Sequence, residues 1–308
     1  MKSEIKYDLV TILGATATGK TTVAVALASK IDAEIISADS RQVYRRMDIG
    51  TGKDIEEYNY NGKNIPYHII DIVDAGEKYN VFQYQNDFLK AYNNIKEQGG
   101  NAVLCGGTGM YLDAVTKGYK LIEVPDNIEL RTKLEGKELS ELKEILSTYK
   151  KMHNQSDVTD EKRAIRAIEI AEYYKNNPNI DTNYPKINNI FIGIEVDRDT
   201  RRKRITDRLK ARLNEGMVDE VKALIDSGIK PEDLMYYGLE YKFITQYIIG
   251  ELSYAQMVNS LQTAIHQFSK RQMTWFRGME RKGVKIHWIN GLQPIDGKIN
   301  EICELINS

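Results

Sequence analysis

Short apolar runs alternate with longer amphipathic stretches in the first third of the chain. The runs that we predict as strands are Leu9–Leu13, Ala33–Ser37, Tyr67–Ile72 and Ala102–Cys105. Residues 22–28 and 81–97 between them have the spacing of helices, and a further helix is predicted to start near Met110. Strands that alternate with helices indicate a parallel sheet with right-handed crossovers. The fold class that we predict is therefore α/β.

The pattern changes after about Leu121. Residues 126–177 are highly charged and typical of helices, and the chain returns to a strand-like apolar run over Asn189–Val196. We therefore predict that 1–121 and 187–308 form one α/β domain, whose C-terminal part is mainly helical, and that 122–186 form a helical insertion domain. The remaining predicted elements are helices over 199–227, 239–249, 253–278 and 295–306 and a strand over 285–289.

Composition and charge narrow the class of protein. The 308 residues are 42% apolar and 28% charged, with a net charge of −1, which is ordinary for a soluble globular protein. We find no apolar run near the ~20 residues that span a bilayer and no apolar leader at the N-terminus. The two cysteines, Cys105 and Cys303, lie far apart and fit a reduced, cytoplasmic protein.

One glycine-rich segment has a specific chemical meaning. Gly14-Ala-Thr-Ala-Thr-Gly-Lys-Thr21 has the P-loop spacing G-x-x-x-x-G-K-T between a predicted strand and a predicted helix. Such a loop directs backbone N–H groups and the positive end of the helix at a phosphate. Lys20 adds a charge, and the Thr21 hydroxyl is placed to bind Mg²⁺. The motif predicts a phosphate or pyrophosphate site without identifying the molecule.

Two polar residues follow other predicted strands, where the ligands of parallel sheets bind. Asp39 after the second strand is a candidate general base, a metal partner or a helix cap. Thr108 follows the paired glycines at 106 and 107 and is either an N-cap or a residue near a substrate. The P-loop, Asp39 and Thr108 are therefore expected to face one crevice.

Basic residues concentrate in two predicted helices. Residues 198–212 contain eight basic and two acidic side chains, and 270–285 contain six basic and one acidic. Arg201, Arg204 and Arg208 share one helix face, which is either a solvated surface or a contact for pyrophosphate or a polyanion. The segment from His266 to Arg277 interleaves aromatic and basic residues, a pattern that suits core packing on one face and unpaired RNA bases on another.

Taken together, these segments resemble the tRNA dimethylallyltransferase family, and they occur in the family's order over most of the chain. The matching segments are Gly14–Thr21, Ser37–Tyr44, Met47–Lys53, His68–Ile72, Gly106–Thr108 with Tyr111, and Lys270–Arg277. Departures from the family pattern are visible, among them an insertion that looks short and poor in the family's usual Pro and Asp landmarks. Ala15 stands where many relatives carry proline, and Met235–Lys242 keeps Gly238 but lacks the Gly-Tyr-Arg sequence common in the family.

The resemblance implies a reaction in which the dimethylallyl group of dimethylallyl diphosphate moves to N6 of the adenosine 3′ to the anticodon. It implies that Asp39 accepts the N6 proton, Thr108 supports the reacting centre and Arg208 contacts the pyrophosphate. It assigns diphosphate binding to Gly14, Ala15, Thr16, Ala17, Thr18, Gly19, Lys20 and Thr21, with Mg²⁺ near Thr21. The implied tRNA contacts are Asp39, Ser40, Arg41, Gln42, Thr108, Arg131, Lys162, Arg163, Arg166, Lys270, Arg271, Gln272, Thr274 and Arg277.

We therefore expect a cytoplasmic, monomeric transferase that binds the anticodon stem-loop of tRNA and no membrane. A related prenyltransferase acting on free adenine nucleotides is the first alternative, although a small acceptor needs neither the insertion nor the aromatic-basic helix. A P-loop kinase shares the glycine loop but needs a nucleobase pocket and a pair of lid arginines that the sequence does not reveal. A non-catalytic RNA-binding protein has no need of intact Lys20, Thr21 and Asp39.

Overall fold

The computed structural model describes residues 5–149 and 160–308. The strands are β1 Leu9–Leu13, β2 Ala33–Ser37, β3 Asn59–Tyr60, β4 Lys63–Asn64, β5 Tyr67–His68, β6 Asn101–Gly106, β7 Asn189–Glu195 and β8 Ile286–Asn290. The helices are α1 Lys20–Ile31, α2 Val81–Glu97, α3 Gly109–Thr116, α4 Ile128–Leu134, α5 Leu139–Tyr149, α6 Glu161–Asn176, α7 Arg198–Asn214, α8 Met217–Asp226, α9 Pro231–Leu234, α10 Leu239–Ile248, α11 Tyr254–Arg281 and α12 Ile295–Asn307. A 3₁₀ helix spans Ile55–Tyr58.

Six strands form one parallel sheet in the order β5-β2-β6-β1-β7-β8. The register pairs Leu13 with Gly106 and Ser37 with Cys105, so that β1, β2 and β6 end side by side. The predicted α/β fold with a parallel sheet is confirmed. Because β1 and β6 lie in the middle, the loops that follow them and β2 open at one edge of the sheet, the place where such sheets bind ligands.

Both faces of the sheet are covered, which explains why β1 is apolar at nearly every position. Leu9 and Leu13 point into a core that includes side chains of α2, α3, α8 and α11, while Val10 and Ile12 point into a second core that includes α1 and α12. All five residues of β1 are buried. A continuous apolar run is the expected signature of a parallel strand buried on both sides.

The predicted third strand over Tyr67–Ile72 is wrong beyond its second residue. β5 ends at His68, because Ile69 and Asp71 adopt left-handed backbone angles with φ of 63° and 55°. The chain turns away from β2, and the Asp71 and Ile72 N–H groups donate instead to the carbonyls of Gln42 and Val43. The largely apolar sequence of this segment fits both a strand and a turn. It therefore does not predict where the strand ends.

The predicted helix over 199–227 is two helices. Gly216 lies between α7 and α8 with a φ of 99°, a left-handed angle that interrupts a right-handed helix. The change of direction places Glu220 of α8 against the loop before residue 51, where its carboxylate accepts the N–H groups of Asp48, Ile49 and Gly50. The loop that follows β2 is thereby fastened to the helical part of the chain.

The described residues divide into two compact units. One comprises 1–118 and 185–308 and contains the sheet, and the other comprises 119–184. The smaller unit contains α4, α5 and α6, which pack around Leu142, Leu146 and Ile168. Within 5–149 and 160–308, no helix combines the length and apolar character needed to cross a membrane.

Candidate active site

The glycine loop between β1 and α1 forms an anion cradle. Ala17 and Gly19 have φ angles of 65° and 84°, and alternation of left- and right-handed residues turns successive N–H groups toward one hollow. A side chain at Gly14 would place its Cβ only 2.8 Å from the Ile194 carbonyl oxygen and 2.7 Å from Thr18 Oγ1. The motif glycines therefore serve a close approach at Gly14 and a left-handed turn at Gly19.

The cradle offers unused donors. Among the described residues, none accepts a hydrogen bond from the backbone N–H groups of Ala17 to Thr21. These groups lie at the positive end of α1, which starts at Lys20. Burial lowers the pKa of the Lys20 ammonium, an effect that the nearby Cys105 and Asp39 oppose. The protein alone therefore does not fully offset the desolvation of the Lys20 ammonium. An anion bound in the cradle would stabilise the charged form of Lys20.

Arg208 of α7 reaches the same cradle. Its guanidinium donates a hydrogen bond to Thr16 Oγ1. Burial and the neighbouring Arg212 lower the pKa of Arg208 to about 10, so the group stays charged at neutral pH. Two half-buried cations from different elements, Lys20 and Arg208, therefore converge on one loop, an arrangement suited to a diphosphate.

Asp39 lies directly after β2, beside Lys20. Its Oδ1 accepts the N–H of Arg41 at 2.9 Å, which closes a turn and leaves the side chain half-buried at the edge of the sheet. The charge of Asp39 is close enough to oppose the lowered pKa of Lys20. A carboxylate in this position can accept a proton next to a bound diphosphate.

Thr108 occupies the N-cap position of α3 without capping it. Its side chain accepts no N–H from the helix, and its Oγ1 instead accepts the Ser40 N–H at 3.1 Å. Its own N–H donates to the Ala38 carbonyl at 3.2 Å. Thr108 therefore ties the loop after β6 to the loop that carries Asp39, and its side chain does not cap α3.

Four further charged residues border this crevice and were not predicted from the sequence: Asp54, Glu57, Glu240 and Arg212. Glu57 Oε2 accepts the Thr22 hydroxyl at 3.3 Å, and partial desolvation followed by the Asp54 charge raises the pKa of Glu57. Arg212 donates to Asp54 at 3.2 Å. Desolvation raises the pKa of Glu240, and the positive charges of Arg208 and Arg212 oppose this increase. No motif spacing marks these residues, and they approach the P-loop only through tertiary folding.

The residues after Asp39 that were predicted to contact tRNA have defined internal partners. The Ser40 N–H donates to Thr108, as described above. Gln42 Nε2 donates to the Gly52 carbonyl at 2.9 Å, and Gln42 Oε1 accepts the Ser37 hydroxyl at 3.3 Å. The Arg41 guanidinium lies 5.9 Å from the ring centre of the exposed Tyr236. The Arg41 and Tyr236 side chains thus form an accessible cation and aromatic pair near Asp39.

Helix α11 has an outer and an inner face in the segment predicted to contact tRNA. Its outward side chains are exposed: Lys270, Arg271, Thr274, Trp275 and Arg277. Gln272 is buried, and its amide is hydrogen-bonded inside the protein. The face that could meet RNA is therefore basic and carries one large aromatic ring.

Two predicted tRNA contacts in the smaller unit, Arg131 and Arg166, are largely occupied by acidic partners. Arg131 Nη2 lies 2.9 Å from Glu169 and Arg131 Nη1 lies 2.9 Å from Asp126. Arg166 also pairs with Glu169 and donates to the Val124 carbonyl at 2.7 Å. Two positive and two negative charges thus form one neutral cluster, with few guanidinium donors left for phosphate.

Lys162 and Arg163, the other predicted contacts in this unit, are exposed at the start of α6. Arg163 lies 3.3 Å from the Asp160 carboxylate, an ion pair across one helical turn. Exposed pairs of this kind are weak and easily exchanged for a phosphate.

The donors around Thr21 suit Mg²⁺. Within 5–149 and 160–308, no cluster of three or more His, Cys, Asp or Glu side chains is arranged to hold a metal ion. The available donors are the Thr21 hydroxyl and the carboxylates of Asp39 and Glu57, all hard oxygen ligands. Mg²⁺ is typically held by one or two protein oxygens, water and substrate phosphates, which matches this sparse set.

Comparisons with known proteins agree on one family. The model of the IPP transferase family matches residues 42–279. The chain is 60% identical over 302 residues to tRNA dimethylallyltransferase 1 of Parabacteroides distasonis, a match that covers 98% of each chain.

Two solved structures have the same fold. A tRNA isopentenylpyrophosphate transferase from Bacillus halodurans matches with a TM-score of 0.71 and 31% identity, covering 98% of this chain and 96% of that one. A eukaryotic dimethylallyltransferase acting on tRNA matches with a TM-score of 0.76 and 20% identity, covering 96% of this chain and 77% of that one.

We predict that Arg208→Ala weakens the binding of inorganic pyrophosphate by about 10-fold to 100-fold, because a charge-assisted hydrogen bond at a buried site contributes ~1.5–3 kcal/mol. Isothermal titration calorimetry measures the dissociation constant. Lys210→Ala removes an exposed charge of the same helix and is the matched control. Equal affinities for the Arg208 variant and the wild-type protein would remove Arg208 from the anion site.

Proposed function

This chain belongs to the IPP transferase family, and we propose that its crevice transfers the dimethylallyl group of dimethylallyl diphosphate to N6 of an adenosine in tRNA. One observation carries the proposal. The anion cradle and the Asp39 carboxylate open at the same edge of the sheet, next to a helix whose exposed face is basic and aromatic. A leaving diphosphate, a proton acceptor and an RNA surface are thereby brought together.

The cradle binds the diphosphate. The free N–H groups from Ala17 to Thr21, the Lys20 ammonium and the Arg208 guanidinium surround the negative charge that develops as the C–O bond breaks. Donors that are already in place stabilise this charge without reorganisation, which is the largest contribution in many enzymes. Thr21 and the diphosphate would hold Mg²⁺, which when bound neutralises part of the leaving group's charge.

The acceptor atom is activated by Asp39, which lies beside the cradle. The lone pair of adenosine N6 is delocalised into the ring, so the amino group is a poor nucleophile. Asp39 accepts one N6 proton while N6 forms a bond to C1 of the dimethylallyl group and the C1–O bond to the diphosphate breaks. The products are N6-dimethylallyl adenosine and pyrophosphate. The Thr108 hydroxyl accepts the Ser40 N–H and so holds the loop that carries Asp39. This contact orients the Asp39 carboxylate, which is the proton acceptor.

The macromolecular substrate is the anticodon stem-loop, with the adenosine 3′ to the anticodon as acceptor. That adenosine leaves its stack to enter the crevice, a cost that is smaller in a loop than in a duplex. The exposed side chains of α11 hold phosphates, and Trp275 offers a stacking surface for an unpaired base. Within the smaller unit, Lys162 and Arg163 of α6 offer exposed positive charge for RNA phosphates.

The same geometry separates this function from its alternatives. Transfer to a free adenine nucleotide makes no use of a basic, aromatic helix face beside the crevice. A kinase shares the P-loop, but the relative that is 60% identical over 98% of this chain is a dimethylallyltransferase. We propose that the enzyme acts as a monomer and that it works in the cytoplasm, where its tRNA substrate is found.

We predict that Asp39→Asn lowers the turnover of dimethylallyl transfer by at least about 100-fold, because removal of a positioned general base typically has this effect. The amide keeps the size of the side chain and the acceptor for the Arg41 N–H, so the affinities for pyrophosphate and tRNA stay close to those of the wild-type enzyme. Single-turnover transfer of labelled dimethylallyl groups to tRNA measures the rate. Asp226→Asn, an exposed position on α8, is the control.

An Asp39→Asn enzyme with a wild-type rate would show that another group accepts the proton. Loss of tRNA or pyrophosphate binding in the same variant would show that Asp39 acts in binding rather than in proton transfer.

We predict that Arg277→Ala weakens tRNA binding and reduces the slope of log affinity against log salt by about 1, because each phosphate contact releases about one counterion. Filter binding of an anticodon stem-loop RNA at several salt concentrations measures the slope. Lys285→Ala removes an exposed charge outside α11 and serves as the comparison. An unchanged slope for Arg277→Ala would place this residue outside the RNA interface.

A further inference from the structure

Gln272 is a buried polar side chain of α11 that contacts the loops of the crevice. The side chain is buried, with 8% of the residue exposed. Its Oε1 accepts the Thr16 N–H of the glycine loop at 2.9 Å, and its Nε2 donates to the Gly107 carbonyl at 2.9 Å. One amide therefore bridges the loop after β1 and the loop after β6.

The two bridged loops carry the two halves of the proposed site. Thr16 also accepts a hydrogen bond from Arg208, and Gly107 is followed by Thr108, whose hydroxyl accepts the Ser40 N–H. Hydrogen bonds joined by the backbone of Thr16 and of Gly107-Thr108 thus connect Arg208 through Gln272 to the residue after Asp39. Gln272 is the member that crosses from the diphosphate side to the acceptor side.

The bridge also explains the absence of a side chain at position 107. A Cβ on Gly107 would lie 2.5 Å from Gln272 Nε2, closer than nonbonded atoms approach. The next nearest atom is the Gly14 carbonyl oxygen at 3.1 Å. The amide of Gln272 is therefore the principal obstacle to a larger residue at this position.

We propose that Gln272 is a positioning residue, which fixes the distance between the diphosphate cradle and the acceptor loop and couples both to the RNA-facing helix. The inference rests on the proposed function. The outer face of the same helix turns carries Lys270, Arg271 and Thr274. RNA that binds this face therefore contacts the helix segment that holds the Gln272 amide in place. Gln272 touches neither substrate and acts through the two loops.

The role is separable from the stability of the fold. Met273 and Phe276 anchor this part of α11 in the core, with 6% and 0% exposure. Methionine matches glutamine in length, so Gln272→Met fills the same space and removes both hydrogen bonds. We expect its melting temperature to stay within a few degrees of the wild-type value.

The first experiment is steady-state kinetics of Gln272→Met with dimethylallyl diphosphate and tRNA. We expect kcat to fall about 10-fold and KM for dimethylallyl diphosphate to rise about 5-fold, because the loops lose their fixed separation. KM for tRNA is expected to stay within about twofold. Gln262→Met on the same helix, outside the bridged segment, controls for the substitution itself.

The second experiment is a double-mutant cycle with Gly107→Ala. Gly107→Ala alone displaces the Gln272 amide and is expected to lower kcat by about as much as Gln272→Ala. In the Gln272→Ala background the principal obstacle is gone and the contact of 3.1 Å with the Gly14 carbonyl oxygen remains, so adding Gly107→Ala should lower kcat by less than it does in the wild-type protein. Additive losses in the two variants would overturn the bridge.

Wild-type kinetics in Gln272→Met would also overturn the inference, as would equal losses in KM for tRNA and for dimethylallyl diphosphate. Failure of the proposed function has a different signature, since the wild-type enzyme would then transfer no dimethylallyl group to tRNA. In that case the affinity for inorganic pyrophosphate still tests the bridge, because Gln272→Met should weaken it about 5-fold while Gln262→Met leaves it unchanged.

Discussion

The site depends on hydrogen bonds that converge on Thr16 from two distant helices. The glycine loop contains Ala17 in a left-handed conformation, which non-glycine residues adopt only where surrounding contacts fix it. Arg208 of α7 binds the Thr16 hydroxyl, and Gln272 of α11 binds the Thr16 N–H. The backbone donors that follow are left free for an anion. The shape of the cradle is thus set by residues far from it in sequence.

The charge arrangement around this loop suits an anionic ligand. Desolvation lowers the pKa of both Lys20 and Arg208, which means that the protein by itself does not fully stabilise the two cations. Acidic groups border them without entering the cradle. A diphosphate would supply the missing charge, and its departure as pyrophosphate would be stabilised by groups that need not move.

The sequence is informative where local chemistry determines structure. The strand–loop–helix context of the P-loop and the positions of Asp39 and Thr108 after strands follow from patterns within a few residues, and the parallel sheet is confirmed. The conformation of Ile69 and Asp71 is not predictable in this way, because an apolar pattern does not encode backbone angles. Gln272 looks like one more polar residue of a basic helix, and only the packing of α11 turns its amide inward.

Charge in a sequence likewise does not reveal its partners. Arg131 and Arg166 appear available for RNA until the structure places Asp126 and Glu169 beside them. Glu57 and Glu240 border the crevice although no spacing connects them with the P-loop. Predictions of tRNA contacts are therefore strongest for the exposed side of α11 and weakest for residues that lie inside neutral clusters.

The most direct test of the central claim is the incorporation of label from dimethylallyl diphosphate, with Mg²⁺, into unmodified tRNA and, in parallel, into AMP and ATP. A P-loop with an adjacent carboxylate and an RNA-facing helix predicts label in tRNA alone, on the adenosine 3′ to the anticodon. Label in a free nucleotide alone would contradict the assigned acceptor. Label in none of the three by a folded enzyme would contradict the assignment of the cradle to an allylic diphosphate.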